Sequence, residues 1–272
     1  MKHIYATTVI DEISPGAPLL LQGDLLQAVG KTAALGYQSM EIHVVEPAMF
    51  PTRLLADACN AHQIRVAAIA TGRVYTRRNR CITSPDPANR EAAMEELYSY
   101  IDIAAELHAA DGVVIGWVKG RRPENAEGFD DLLAAQLRQL AVYAAHKKQK
   151  LLIEVINRYE TNSFNTCAEL LDFLTRYDIP NAYIHLDTFH MNIEERDPAA
   201  AIRLAGERLG YIHFADSNRL SPGSGHIDFV PILRALEDIG YPGSLSVECL
   251  PFPDGETAAA NGKDVLERLW QQ

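Results

Sequence analysis

Eight short apolar runs, helical periodicity between them, and no glycine-rich nucleotide turn after the first run predict an α/β fold, the (β/α)8 TIM barrel. The runs are nearly continuous in apolar character, as parallel strands covered on both faces require. A doubly wound sheet also alternates strands with helices, but it typically uses fewer strands. No linker, low-complexity tract or shift in composition divides the chain, so residues 1–272 are read as one barrel domain.

In chain order the predicted strands are HIYATTVI (3–10), SMEIHVV (39–45), IRVAAIA (64–70), GVVIGWV (112–118), KLLIEVI (150–156), AYIHLD (182–187), YIHFAD (211–216) and SLSVECL (244–250). Helices are expected between them. Over residues 87–109, Met94, Leu97, Tyr98, Ile101, Ala105 and His108 recur at three- and four-residue intervals and define one buried stripe. Residues 128–147, 166–177, 198–209 and 229–239 behave similarly, and 258–271 closes the chain. Asp228 is placed to cap the helix that begins FVPIL, with Pro231 tolerated in its first turn. Gly36, Gly210 and Gly240 each follow a helical run and are expected to end it with a positive φ. The stretches 71–87 and 118–128, both rich in arginine, read as strand-to-helix loops.

Composition narrows the function classes. The 25 basic and 36 acidic residues give a net charge of −11, which disfavours DNA or an anionic membrane as partner. The four cysteines are scattered without a CxxC pair. The start MKHIYATTVIDEIS is too short and too polar for a signal peptide, and no run of about 18 apolar residues exists to span a bilayer. A cytoplasmic protein with a small-molecule partner is expected, with no nucleic-acid or membrane partner.

In such a barrel, chemistry collects at the C-terminal ends of the strands. Glu154, Asp187, His213 and Glu248 fall there on four successive strands, each flanked by apolar residues: LLIEVI, YIHLDTF, GYIHFA and LSVEC. A buried ionised carboxylate is costly unless something pairs with it. Three of them with an imidazole point to a divalent cation: Mn²⁺, Mg²⁺ or Co²⁺, with Zn²⁺ an alternative. A single strand-end acid is more often a helix cap or an ion-pair partner, so the argument rests on the set. Glu41 and His43 are pocket-lining or structural.

The runs EVINRYETN, LDTFHMNIEE, HFADSNRLSPGSGHIDF and SVECLP resemble the D-tagatose 3-epimerase branch of the sugar isomerase/epimerase (xylose isomerase-like) TIM-barrel superfamily. The likeness is dense over residues 150–254 and weaker at AIATGRVY and GVVIGWVKGRRPE. Within the branch, NRYET, DTFHMNIEE, ADSNR and SVECLP are similar to the 5-keto-L-gluconate epimerases. The resemblance implies Glu154, Asp187, His213 and Glu248 as metal ligands, with manganese the expected ion. It implies Glu154 and Glu248 as the acid/base pair, and Glu160, His190 and Arg219 as substrate contacts. It also implies a homo-oligomer, dimer or tetramer.

The implied reaction inverts the carbon beside a ketone through an enediolate, with two carboxylates taking and returning the proton. Asn157 and Arg158 are expected only to shape the turn between Glu154 and Glu160. The loops RVYTRRNR (73–80) and KGRR (119–122) carry seven basic residues, Arg121 and Arg122 among them. Since arginine suits bidentate carboxylate recognition, they suggest an acidic ketose, a keto-aldonate or uronate. An aldose–ketose isomerase would use the same groups. A metal-dependent abasic-site endonuclease would need more histidine ligands and a broad basic face.

Overall fold

A computed structural model describes residues 3–271. Its strands are β1 (Tyr5–Ile10), β2 (Leu21–Gln22), β3 (Ser39–His43), β4 (Arg65–Ala70), β5 (Gly112–Ile115), β6 (Leu151–Glu154), β7 (Ala182–Asp187), β8 (Leu209–Phe214) and β9 (Leu245–Val247). All pair in parallel in the order β2-β1-β3-β4-β5-β6-β7-β8-β9, and β9 returns to β1. That last pairing closes an eight-stranded barrel, and the two-residue β2 hangs on its outer rim beside β1. The fold class read from the sequence is the one observed.

Closure explains the continuous apolar runs. The outward-facing residues meet a ring of helices: α1 (Leu25–Ala34), α2 (Thr52–His62), α3 (Gly72–Arg78), α4 (Pro87–Glu106), α5 (Phe129–His146), α6 (Cys167–Arg176), α7 (Thr188–Glu194), α8 (Pro198–Ala205), α9 (Phe229–Asp238) and α10 (Gly255–Trp270). Leu97, Ile101, Leu133, Leu170 and Ile184 are among the fully buried side chains of this layer. Burying each such side chain contributes about 1.5–3 kcal/mol. Inside the barrel the filling is smaller: Ala6, Ala67, Ala68, Ala70, Val114, Leu152 and Tyr211 form a separate cluster. Small residues here leave room for polar groups at the C-terminal end of the barrel.

Helix starts follow capping chemistry. Asp24, Asp86, Asp197, Asp228 and Asp254 each accept a backbone N–H of the first turn, and Thr166 with Glu169 forms a reciprocal capping box. The Asp228 cap and the glycine ends at Gly36 (φ 74°) and Gly240 (φ 63°) match the sequence reading.

Several expectations are corrected. Gly210 ends no helix; it lies within β8, where a Cβ would stand 2.6 Å from Cβ of Tyr183. The segment 71–87 is not all loop, because α3 occupies its first half with only Val74 buried. Tyr98, Ala105 and His108 are not in the buried face of α4, which runs Ala93, Met94, Leu97, Tyr100, Ile101, Ile103 and Ala104. His108 is exposed beyond the helix end with φ 52°. The strands β3, β5, β6, β8 and β9 also end before their apolar runs do, since there the backbone leaves the ladder to build the cavity rim, while β1, β4 and β7 end where the runs end.

Candidate active site

A cavity of about 620 Å³ opens at the C-terminal mouth of the barrel, walled by the segment Pro15–Leu19, Gly72, Arg73, Trp117, Phe189 and Leu250. Glu154, Glu160, His190, His213, Arg219 and Glu248 line it, together with Glu41 and His43. Asp187 is fully buried and joins them through its partners rather than by forming the wall.

Strand register explains the convergence. Glu154 ends β6, Asp187 ends β7, and Asp187 and His213 are directly paired across β7 and β8. Glu248 follows β9, its N–H bonded to the Phe214 carbonyl at 3.2 Å. His213 Nδ1 faces Glu248 Oε2 at 3.3 Å and Asp187 Oδ2 at 3.9 Å. Its other nitrogen, Nε2, donates to Glu41 Oε2 at 2.6 Å. Such a carboxylate behind an imidazole fixes the tautomer and aims the free nitrogen inward. Glu41 is itself held by the Ser246 hydroxyl (3.2 Å) and lies 3.1 Å from His43 Nε2. Sequence reading left Glu41 undecided; the contact depends on barrel closure, which places β3 near β8 across the interior.

Three overlapping groups have ligand atoms within 4.8 Å of one another: Glu154–Asp187–His190, Glu41–His213–Glu248 and Glu154–His185–His213. They link all four expected ligands in one chain of close approaches. Several of these atoms lack a hydrogen-bond partner among the described residues despite burial, including His213 Nδ1, Glu41 Oε1 and both nitrogens of His185. Oxygen-rich donors with spare lone pairs, buried and clustered, fit a divalent cation.

The two glutamates sit in opposite environments. Burial, with Glu248 nearby, pushes the Glu154 carboxyl up to about 8. Glu248 is buried too, but His213 and Arg219 hold its carboxyl below the usual range. Burial opposes charge on His213, yet Glu41 and Glu248 raise its pKa well above the ordinary imidazole value. Gly116 makes room for Glu154: a Cβ there would stand 2.5 Å from Glu154 Oε2. Below, the buried Lys119 amine donates to the carbonyls of Gly116 (2.9 Å) and Glu154 (2.8 Å), tying the ends of β5 and β6 together. Burial brings that amine down to about 8.

Arg219 crosses the floor, donating to Asp187 Oδ2 at 2.6 Å and to Glu248 Oε2, with its guanidinium 4.8 Å from the Phe189 ring centroid. It adopts φ 61° in the loop after β8. Asp216 holds that loop by accepting the N–H groups of Ser217, Gly223 and Ile227. Asp187 uses Oδ1 to accept the Phe189 N–H at 2.8 Å and so caps α7.

Asn157 does more than shape a turn. It is buried, and its amide donates to Glu160 Oε1 at 3.0 Å and to His190 Nδ1 at 2.7 Å. His190, kept neutral by burial and Arg219, is left with Nε2–H directed at the space between Glu154 (3.9 Å) and Asp187 (3.8 Å). Burial also raises the Glu160 carboxyl. Arg158 does organise the turn, in a two-point ion pair with Glu194.

The basic loops are not arrayed on the cavity. Arg121 and Arg122 do not line it: Arg121 donates to the Glu160 carbonyl (3.2 Å), and Arg122 pairs with Asp130 (2.7 Å) over the Phe129 ring. Arg77 pairs with Glu12, while Arg78 and Arg80 share Glu96. Only Arg73 reaches the wall, and Glu12 (3.0 Å) and Ser14 (2.7 Å) already hold it. Counting arginines in sequence misses the acids that fold against them.

A family model described as the xylose isomerase-like TIM barrel matches residues 29–269. An L-ribulose 3-epimerase of Methylomonas sp. (strain DH-1) is 34% identical over 249 residues, covering 90% of this chain and 85% of the relative. A ketose 3-epimerase of Arthrobacter globiformis is 35% identical over 224 residues, covering 81% and 76%. The crystal structure of a Methylomonas sp. D-allulose 3-epimerase in complex with D-allulose superposes with a TM-score of 0.84 at 28% identity, covering 98% of this chain and 97% of that one.

Proposed function

The chain belongs to the xylose isomerase-like TIM-barrel family, and on that premise we propose that it inverts the carbon beside the ketone of a small neutral ketose, with Glu154 and Glu248 exchanging the proton. It is an isomerase-class enzyme, a carbohydrate epimerase, as its relatives are. The observation that carries the finer reading is the pair of cavity-facing glutamates on strands that are not neighbours. Their environments push their proton affinities apart, Glu154 up and Glu248 down. Pairs separated in this way divide into acid and base.

Epimerisation needs a proton removed from one face of the carbon and returned on the other. Glu248 and Glu154, facing the cavity from the ends of β9 and β6, are placed to remove it and return it. The reverse reaction exchanges the roles. His190 Nε2–H and Arg219 donate to substrate oxygens, and Glu160 accepts from a hydroxyl. Glu154, Asp187, His213 and Glu248 would hold a divalent cation, which would supply Lewis-acid polarisation of the substrate carbonyl. The carboxylate-rich set suits Mn²⁺ among the candidates.

The expectation of an acidic ketose retains only Arg73, whose charge Glu12 already offsets. Purified protein with Mn²⁺ is therefore tested on L-ribulose, D-psicose, D-tagatose and 5-ketogluconate, with products identified by NMR. A neutral 3-epimer is expected, and Glu154→Gln and Glu248→Gln should each lose at least about a thousandfold in kcat. Full activity in both variants refutes the proton-transfer pair, an aldose product restores the aldose–ketose isomerase, and clear preference for 5-ketogluconate restores the acidic substrate.

The wider setting follows the same reading. The large apolar side chains Met49, Tyr159 and Phe252, 80%, 79% and 68% exposed, all follow barrel strands at the cavity end and support a homo-oligomer joined there. Light scattering distinguishes monomer, dimer and tetramer. The four cysteines are free, and no helix among the described residues is long and apolar enough to cross a membrane. The free cysteines support the cytoplasmic reading.

A further inference from the structure

We infer that His185 is an additional nitrogen ligand at the base of the metal centre, giving this chain a Glu154–His185–His213 face that favours Co²⁺ and Ni²⁺ more than an all-carboxylate floor would. The inference rests on reading the site as a metal centre and adds a residue to it.

His185 lies two residues before Asp187 on β7, so both side chains point to the barrel interior, His185 one layer deeper. It is directly paired with Glu154 across β6 and β7 and with Tyr211 across β7 and β8. The imidazole is fully buried, and neither ring nitrogen has a hydrogen-bond partner among the described residues. Buried polar groups in native proteins are rarely left in that state. The ring stands edge-on to His213, with centroids 4.2 Å apart at 86°, and 5.1 Å from the Tyr211 ring. One nitrogen of each histidine and one oxygen of Glu154 all lie within 4.8 Å of one another.

A packing role alone explains the position poorly. An apolar side chain would fill the space beside the Tyr211 and His213 rings without two unsatisfied nitrogens. A cation between Glu154 and His213 gives one of those nitrogens a partner. The set then holds two imidazoles and a carboxylate on one face, a combination suited to later first-row divalent ions, whereas carboxylates alone suit Mg²⁺ and Mn²⁺.

The test is direct metal binding, read without turnover. Dissociation constants for Mn²⁺, Co²⁺ and Ni²⁺ are measured by calorimetry on full-length protein and on His185→Leu and His185→Gln, with folding checked by circular dichroism. Loss of a nitrogen ligand should weaken Co²⁺ and Ni²⁺ by about tenfold or more in both variants, and Mn²⁺ by about threefold or less. Unchanged constants, or an equal loss for all three ions, overturn the inference while leaving the metal centre intact. If no divalent ion binds the parent protein at all, the reading of the site itself fails. A second measurement needs no variant: the Co²⁺-loaded parent should show two hyperfine-shifted exchangeable imidazole protons, from His185 and His213, and a single one overturns the inference.

Discussion

Metal affinity should climb steeply with pH, and Glu154 sets the size of the effect. An ordinary glutamate is ionised throughout the neutral range; here burial and the neighbouring Glu248 push the carboxyl up to about 8. A cation needs the ionised oxygen, so proton and metal compete for it. At pH 6 roughly 1% of a group with that pKa is ionised, and at pH 7 about 10%. Apparent affinity should therefore rise about tenfold per pH unit from pH 6 and level off above pH 8. His213 is also raised and must free Nδ1 before it can ligate, which steepens the rise further. Calorimetric titration of the metal-stripped protein with Mn²⁺ or Co²⁺ at pH 6, 7 and 8 reads the slope directly. Repeating it in two buffers of different ionisation enthalpy counts the protons released. Glu154→Gln should bind more weakly and lose the part of the slope that belongs to this carboxyl. An affinity that stays flat from pH 6 to 8, with no proton released, would falsify the account of Glu154.

Three further outcomes are expected. Glu41→Gln removes the charge behind His213 Nε2 and should weaken metal binding about 10- to 100-fold, measured by the same titration, with the fold unchanged by circular dichroism. Asn157→Ala deletes the donor shared by His190 and Glu160 and should lower kcat/KM about tenfold or more, with metal affinity little changed. Asp111, at the closed end of the barrel, is raised by burial from 3.8 to about 6 despite its bond from the Ser244 N–H. Its folded form holds the proton more tightly than the unfolded chain, so stability is lost as pH rises from about 4 to 6; Asp111→Asn removes that loss. The variant should be more stable by about 1–3 kcal/mol in urea at pH 7.5 and show no such gain at pH 4.

The barrel was legible in the sequence because parallel strands are covered on both sides, and eight nearly unbroken apolar runs have few other uses. Every predicted run overlaps a barrel strand, although β8 begins at Leu209, two residues before its run. The overshoot at their ends, as at Val155 and Cys249, has a physical cause: rim residues stay buried after leaving the ladder, so apolarity outlasts pairing. The positions of Glu154, His213 and Glu248 at the mouth were readable for the same reason, polar residues standing out against apolar neighbours. What sequence could not show were pairings between distant strands. Glu41 meets His213 across 172 positions, and Asn157 reaches His190 across 33. The arginine loops misled because charge along a chain says nothing of the acids that fold against it, as Glu12, Glu96 and Asp130 do here. His185, two residues before Asp187 on the same strand, lies deeper than the strand end where sequence reading looks for chemistry.

The two oxygens of Asp187 complicate how a knockout there would be read. Oδ1 holds the first turn of the seven-residue helix that carries His190, while Oδ2 grips Arg219. Asp187→Ala therefore removes an anchor from His190 as well as a carboxylate from the floor, and an inactive alanine variant is ambiguous. Asp187→Asn separates the two, because an amide oxygen still caps the helix while the negative charge is gone. Scanning mutagenesis confined to alanine would assign to one residue a loss that belongs to two.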